Sequence, residues 1–246
     1  MKATPRLTHF ASLEDRRGAL QAPIRLALVA DLHNGPFEEL LPQMEGVDAI
    51  LIVGDMVRRY SDGYEQALAF LRAAPDIAPT YYILGNHEIR LASRERYLQA
   101  VSESRVTLLD NRVVRLRKDI ALGGLTSTHR TSPEEAQTLV QTLARESGYR
   151  LLLSHHPEDY PRYVQGTGID LTLSGHAHGG QIRLRGRGLY APGQGLLPKL
   201  TDGFYDGNRL LVSRGLTNST FVPRWGNPCE LILLTLEPKQ DKSHES

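Results

Sequence analysis

Cysteine and tryptophan each occur once in the 246 residues, methionine three times and phenylalanine five times. The lone Cys229 excludes an internal disulfide and any site built on several thiolates. Its apolar setting, CELILLTL, makes it a buried thiol in a closing strand, as expected in a reducing compartment. Charge surplus is missing as well: 29 Lys and Arg stand against 28 Asp and Glu, so the overall field draws in neither nucleic acid nor an anionic membrane. No apolar run approaches the roughly 20 residues that span a bilayer. Arg16 and Arg17 lack the sustained apolar region and cleavage site that would complete an export signal. Repeats, low-complexity tracts and linkers are absent. These absences lead us to expect a soluble, cytoplasmic globular chain whose 40% hydrophobic residues supply an ample core. We read it as a single domain, 1–246, with a core from about 24 to 236 and a polar tail at Pro238–Ser246.

Strand-like runs at Ile24–Ala30, Ala49–Val53 and Thr80–Leu84 alternate with helical patterns at Phe37–Met44 and Tyr64–Ala73, a βαβαβ opening. Glu88–Val101 reads as a third helix, and Val106–Leu109, Val113–Leu116 and Asp119–Leu122 as short strands joined by polar turns. Thr131-Ser132-Pro133-Glu134 combines a cap, an early proline and an acidic first turn, predicting a helix to about Glu146. Strands follow at Tyr149–Ser154 and Asp170–Ser174. Beyond Gly175 the chain turns to glycine- and proline-rich hairpin material, with strands near Gln181–Leu184, Leu210–Ser213 and Glu230–Leu236.

Five of these apolar runs lead into residue types that bind metal. They are Asp31 and His33, Asp55, Asn86 in Gly85-Asn86-His87-Glu88, His155 in Ser154-His155-His156-Pro157, and His176 and His178 in Ser174-Gly175-His176-Ala177-His178-Gly179-Gly180. A polar residue after a strand is often only a turn or cap. Three consecutive polar side chains after TYYIL exceed that need, however, and six of the nine histidines fall within these motifs. Strands ending side by side would gather such residues at one sheet edge, and the glycines around His176 and His178 let the backbone approach closely and adopt positive φ. Carboxylate, imidazole and amide donors without thiolate suit manganese, iron or zinc. Seven donors are too many for one ion. Two ions about 3.5 to 4 Å apart sharing a carboxylate fit better and form a clamp for phosphate oxygens, so phosphoryl chemistry follows.

In this order, DLH, GD, GNHE, SHH and GHAH resemble the motifs of the calcineurin-like metallophosphoesterase superfamily, over about Ile24 to Leu236. SGHAHGGQIRL, GLYAPGQGL and LVSRGLTNS are similar to its small bacterial branch of YkuE-type and YaeI-type phosphodiesterases. The resemblance implies an α/β fold, a four-layer α/β/β/α sandwich of two mixed β-sheets flanked by helices. It implies one divalent metal on Asp31, His33 and His178, a second on Asn86, His155 and His176, and Asp55 bridging them, with manganese expected and iron or zinc as alternatives. It further implies in-line attack by a metal-bridging hydroxide, with His87 contacting phosphate and protonating the leaving oxygen. Glu88 would either orient His87 or serve as an acidic first turn, and His156 would line the pocket rather than ligate.

The expected substrate is a small-molecule phosphodiester or pyrophosphate. His129 and Arg130, between a strand and a capped helix, are candidate substrate contacts, against the alternative of solvated loop residues. Gly188–Tyr205, with Leu189, Tyr190, Leu196, Leu197, Leu200 and Phe204, forms either an apolar wall beside the site or a hairpin packed on the core. The wall would favour a lipid-linked nucleotide sugar such as UDP-diacylglucosamine. A nuclease is disfavoured by the absence of a basic stripe, and a non-catalytic binding scaffold by the full set of ligand types. No protein partner can be inferred.

Overall fold

Two six-stranded sheets face one another in the computed structural model, which describes residues 7–60, 63–218 and 222–240. The strands are β1 (Leu7–Glu14), β2 (Ile24–Val29), β3 (Ala49–Ile52), β4 (Thr80–Tyr82), β5 (Thr107–Leu108), β6 (Arg112–Arg117), β7 (Ile120–Leu125), β8 (Tyr149–Ser154) and β9 (Leu171–Ser174). Two small hairpins follow, β10 (Arg183–Leu184) with β11 (Arg187–Gly188) and β12 (Tyr190–Ala191) with β13 (Gly195–Leu196). β14 (Gly203–Tyr205), β15 (Leu210–Val212) and β16 (Glu230–Glu237) complete the set. The first sheet runs β1-β16-β2-β3-β4-β5, parallel from β2 to β5, with β16 antiparallel to β2. The second runs β14-β15-β9-β8-β7-β6, its four central strands parallel and its two edges antiparallel.

Strands buried on both faces explain the near-continuous apolar runs of the sequence. Along β2, Ala27 and Val29 face one layer while Leu26 and Leu28 face the other, as the two-residue period of a strand requires. The middle layer joins Leu26, Leu28, Leu51 and Ile83 to Leu122, Leu151, Leu153 and Leu173. Outside the first sheet, Phe70 and Leu71 of α1 (Glu65–Ile77) and Tyr97 of α3 (Arg94–Ser102) cover Ile50, Ile52 and Tyr82. Outside the second, Leu139, Val140 and Leu143 of α4 (Pro133–Ala144) cover Ala121 and Leu152. The result is the expected α/β/β/α sandwich. Among the described residues no helix is long and apolar enough to cross a membrane.

Most expected elements are present, with informative exceptions. Phe37–Met44 is two 3₁₀ turns, Glu38–Leu40 and Pro42–Met44, rather than one helix, because Pro42 has no N–H for the hydrogen-bond ladder and Phe37 offers no side-chain cap. Glu88–Val101 is broken into α2 (Asn86–Ile89) and α3, for reasons that lie in the site. β1 was not anticipated: it is an edge strand whose one strand partner among the described residues is β16, and its Phe10 is largely exposed. α4 begins as read, with Ser132 Oγ accepting the Glu135 N–H at 3.2 Å and the Glu135 carboxylate accepting the Ser132 N–H at 2.7 Å. Part of the expected polar tail, 241–246, lies outside the described residues.

Candidate metal centre and active-site cleft

The C-terminal ends of β2, β3 and β4 in one sheet and of β8 and β9 in the other open at the same edge of the sandwich. Asp31 and His33 follow β2, Asp55 follows β3, Asn86 opens α2 after β4, His155 follows β8, and His176 and His178 follow β9. Backbone pairing continues past the strands, with the N–H groups of Asp31, His33 and Asn34 donating to the carbonyls of Gly54, Asp55 and Met56. The sheets are tied together here by His176 N–H to Asp31 Oδ2 at 3.0 Å, His155 Nδ1 to the Val53 carbonyl at 2.7 Å, and Ser127 N–H to the Leu84 carbonyl at 2.9 Å.

All seven donors expected from the sequence are buried within this edge. His33 Nε2 lies 3.3 Å from His178 Nε2 and 3.7 Å from Asp31 Oδ1, and His178 Nε2 lies 3.6 Å from the same oxygen. On the other side, His155 Nε2 is 3.2 Å from Asn86 Oδ1 and 3.3 Å from Asp55 Oδ2. Asp55 Oδ2 also stands 4.0 Å from His33 Nε2, between the two clusters. Asp31, His33 and His178 form one group able to hold a cation, and Asp55, His155 and His176 another. The backbone is bent to achieve this. Asp31, His33, Asp55, His176 and His178 have φ between 48° and 64°, a left-handed conformation that costs a residue with a β-carbon about 1–2 kcal/mol. The sequence reading had placed that burden on the glycines.

A close approach at Gly54 and Gly85 joins the two halves. Gly54 has φ 94°, and a β-carbon on Gly85 would lie 2.3 Å from Asp55 Oδ1. Glu88 does not orient His87. Its fully buried carboxylate accepts four backbone N–H groups, from Gly85 at 2.8 Å, Asp55 at 3.0 Å, Met56 at 2.6 Å and Val57 at 3.1 Å. α2 is therefore short because its residues serve the β3 exit loop, with the His87 N–H also donating to Asp55 Oδ1 at 2.8 Å. This explains the broken helix.

The donors fit divalent cations. Asp31 Oδ1 is buried without a hydrogen-bond partner. Burial keeps three of the imidazoles neutral and ready to ligate: it lowers His33 to about 3 and holds His176 and His178 well below the usual range. Burial likewise pushes the Asp31 carboxyl up. Burial opposes ionisation of His155 too, but the Asp55 charge and hydrogen bond, with Asp31, overcome it and raise its pKa to about 10. Asp55, against its own burial, is held well below the usual carboxylate range by the same His155 contact. Positive charge is thus strongly favoured beside Asp55. Imidazole orientation is set by carbonyls behind the rings, with Val57 O 3.2 Å from His33 Nδ1 and Val53 O behind His155, the usual support for a ligating histidine.

A cleft of about 620 Å³ opens over the cluster, lined by Asp55, Asn86, His87, His176 and His178 together with Arg58, Arg59, Tyr60, Arg90, His129, Tyr190, Pro192 and Gly193. His87 Nδ1 accepts the Arg59 N–H at 3.3 Å, and its Nε2 is 3.9 Å from Asp55 Oδ2. The expected substrate pair separates: His129 lines the cleft, whereas Arg130 turns away to an ion pair with Asp110 at 2.8 Å. His156 sits behind the cleft, its ring 4.9 Å from that of His155 and 4.3 Å from that of His176, with Ser127 Oγ 2.7 Å from its Nε2. The 188–205 segment divides between the two readings. Leu200, Phe204 and Tyr205 pack against the core, Tyr190 lines the cleft, and Leu196 and Leu197 face solvent. Arg58, Arg59 and Arg90, which line the cleft, were not singled out from the sequence, although two arginines three and four residues after Asp55 at a strand exit were a usable signal.

The model of the calcineurin-like phosphoesterase family matches residues 24–180, and the chain belongs to that family. An uncharacterized metallophosphoesterase of Helicobacter pylori is 28% identical over 238 residues, covering 89% of this chain. The chain spans only 61% of that relative's length. Phosphodiesterase YaeI of Escherichia coli is 25% identical over 185 residues, covering 66% of this chain and 63% of YaeI. Among solved structures, TT1561 of Thermus thermophilus aligns with a TM-score of 0.43 at 16% identity, over 62% of this chain and 81% of its own.

The Glu88 clamp generates a direct test. Glu88→Ala strands four amides in a dry loop, an expected loss of about 3–5 kcal/mol even after partial hydration. In a chain of this size that lowers the melting temperature by about 10 °C, read by differential scanning calorimetry. A melting temperature within error of wild type would show that the clamp does not hold the loop.

Proposed function

We propose that this chain is a dinuclear metal-dependent phosphoesterase acting on phosphodiester or pyrophosphate bonds of a small molecule. The observation that carries the reading is Asp55, whose Oδ2 stands 3.3 Å from His155 Nε2 and 4.0 Å from His33 Nε2, in reach of both donor clusters. In this reading Asp31, His33 and His178 would hold one cation and Asn86, His155 and His176 the other, with Asp55 available to both. Manganese, iron and zinc all suit these donors. Bound there, the cations supply Lewis-acid stabilisation of phosphoryl charge and activate water.

His87 is the protein's own contribution to the departing group. With Nδ1 accepting the Arg59 N–H, the neutral ring carries its proton on Nε2, at the cleft side beside Asp55. Burial lowers its pKa and favours that neutral form. Nε2–H then donates to a phosphoryl or leaving-group oxygen and can pass the proton as the P–O bond breaks. Arg58, Arg59 and Arg90 supply positive charge around a cleft in which Asp55 is the one acidic lining residue among the described residues, so a substrate with a second anionic group is favoured. His129 lies on the same wall as a further substrate contact.

Two experiments test the reading. Asp55→Asn should lose bound metal, measured by mass spectrometry of the purified protein, together with hydrolysis of bis-p-nitrophenyl phosphate. His87→Ala should keep its metal yet lose about 10²–10⁴-fold in rate. Full activity in both variants would reject the mechanism. Arg59→Ala combined with Arg90→Ala should raise KM about tenfold or more for a pyrophosphate-linked substrate relative to a simple diester. An unchanged ratio would remove the arginines from substrate selection.

A further inference from the structure

We propose that the surface built from the β10–β13 hairpins and the turn bearing Trp225 docks on an anionic lipid bilayer. Five of the eight large apolar side chains exposed among the described residues lie on it. Leu196 is 81% exposed, Leu197 73%, Trp225 62%, Leu184 53% and Tyr190 51%. Single exposed apolar residues are ordinary on a soluble protein, but a cluster marks an interaction surface.

Backbone bonds make the cluster contiguous. Ile182 bridges to Trp225, and Arg183 N–H donates to the Trp225 carbonyl at 2.9 Å. Leu189 N–H donates to the Ile182 carbonyl at 2.9 Å, and Leu197 N–H to the Leu189 carbonyl at 3.0 Å. Tyr190 pairs with Leu196, and Leu184 with Arg187, and directly opposed residues of antiparallel strands share a face. The base of the lobe is fixed to the metal-site loop by Asn227, whose Nδ2 donates to the carbonyls of His178 at 2.7 Å and Gln181 at 3.1 Å.

Charge selects the occupant. Between Asp170 and Asp202 the chain carries Arg183, Arg185, Arg187 and Lys199 and no acidic residue, and 207–229 has none either. Arg183 is neutralised by Asp202. Arg185, Arg187 and Lys199 are exposed and have no carboxylate within ion-pair distance among the described residues. Exposed leucines on small hairpins, an indole and flanking cations are the components of interfacial binding. The leucines enter the acyl boundary, the indole sits at headgroup depth, and the cations meet anionic headgroups. A second copy of the chain across a two-fold axis would instead set like charges against each other. Tyr190 belongs to this face and to the cleft, so docking would bring the cleft mouth to the membrane surface.

The test is flotation of the purified full chain with vesicles of phosphatidylcholine alone or mixed with phosphatidylglycerol. Wild type should float only with the anionic vesicles and be released as salt rises. Leu196→Asp with Leu197→Asp, and separately Arg187→Glu with Lys199→Glu, should each cut the bound fraction about tenfold. Neither pair lies in the metal cluster or the cleft lining, so melting temperature and hydrolysis of bis-p-nitrophenyl phosphate should match wild type. Failure of the docking proposal is thereby separated from failure of the enzymatic reading. Absence of flotation, equal flotation on both vesicle types, or binding that survives both double variants would overturn it. A dimer in sedimentation that dissociates on Leu196→Asp with Leu197→Asp would also overturn it, assigning the face to a second copy.

Discussion

The carboxylate of Glu88, accepting the N–H groups of Gly85, Asp55, Met56 and Val57, is the interaction on which the rest of the site depends. At the exits after β3 and β4 the carbonyls of Gly54, Asp55 and Met56 still pair with the loop after β2, but the amides of Gly85, Asp55, Met56 and Val57 turn to the Glu88 carboxylate. A fully buried amide without a partner is expensive, so these loops cannot exist in their observed shape without an acceptor at that point. With it, the Asp55 turn and the start of α2 become one rigid body. Gly54 and Gly85 can then touch, His87 N–H finds Asp55 Oδ1, and Asn86 is delivered opposite His155.

Rigidity of this kind is what allows strained backbone to persist. Asp31, His33, Asp55, His176 and His178 each hold a left-handed φ, which isolated loops would relax. They are kept there by hydrogen bonds that cross from sheet to sheet, notably Asp31 Oδ2 with His176 N–H and Val53 O with His155 Nδ1. Thr217 adds a further hold, its Oγ1 donating to the carbonyls of Asp31 at 3.1 Å and Leu32 at 3.0 Å. Two buried carboxylates and several buried imidazoles facing one another would on their own favour unfolding or protonation. The same arrangement is stabilised when cations bind the native state and not the unfolded chain, and affinity for metal then becomes folding free energy.

How much of this could be read beforehand follows from where each signal resides. Strands buried on both faces leave long apolar runs, so β2, β3, β8 and β9 were legible together with the donors at their ends. The capping box at Ser132 and Glu135 is local chemistry and was also legible. Glu88 was not, because three of its four backbone partners lie more than thirty residues away, at 55–57, and nothing in GNHE distinguishes a clamp from an acidic helix start. The split of the expected 88–101 helix is the same failure seen from the other side: tertiary demand on Asn86, His87 and Glu88 overrides helical periodicity. β1 escaped notice because an edge strand with a single neighbour needs little hydrophobicity. His129 and Arg130 were adjacent in sequence and equivalent as candidates, and only the fold reveals that Asp110 claims one of them.

Net charge is the case where a global quantity misleads. A balance of 29 against 28 argues against a field around the whole molecule, yet the charges are segregated. Acidic residues concentrate elsewhere, while the stretch from Leu171 to Thr201, which carries His176, His178 and both small hairpins, contains none. Exposed cations are screened within about 8 Å at physiological ionic strength, so an approaching anion responds to the local patch and hardly to the sum. The cleft arginines and the hairpin cations therefore act as separate short-range features. In the readings proposed above, one would select charge on a bound small molecule and the other would meet a charged surface. The sum of charges conceals both.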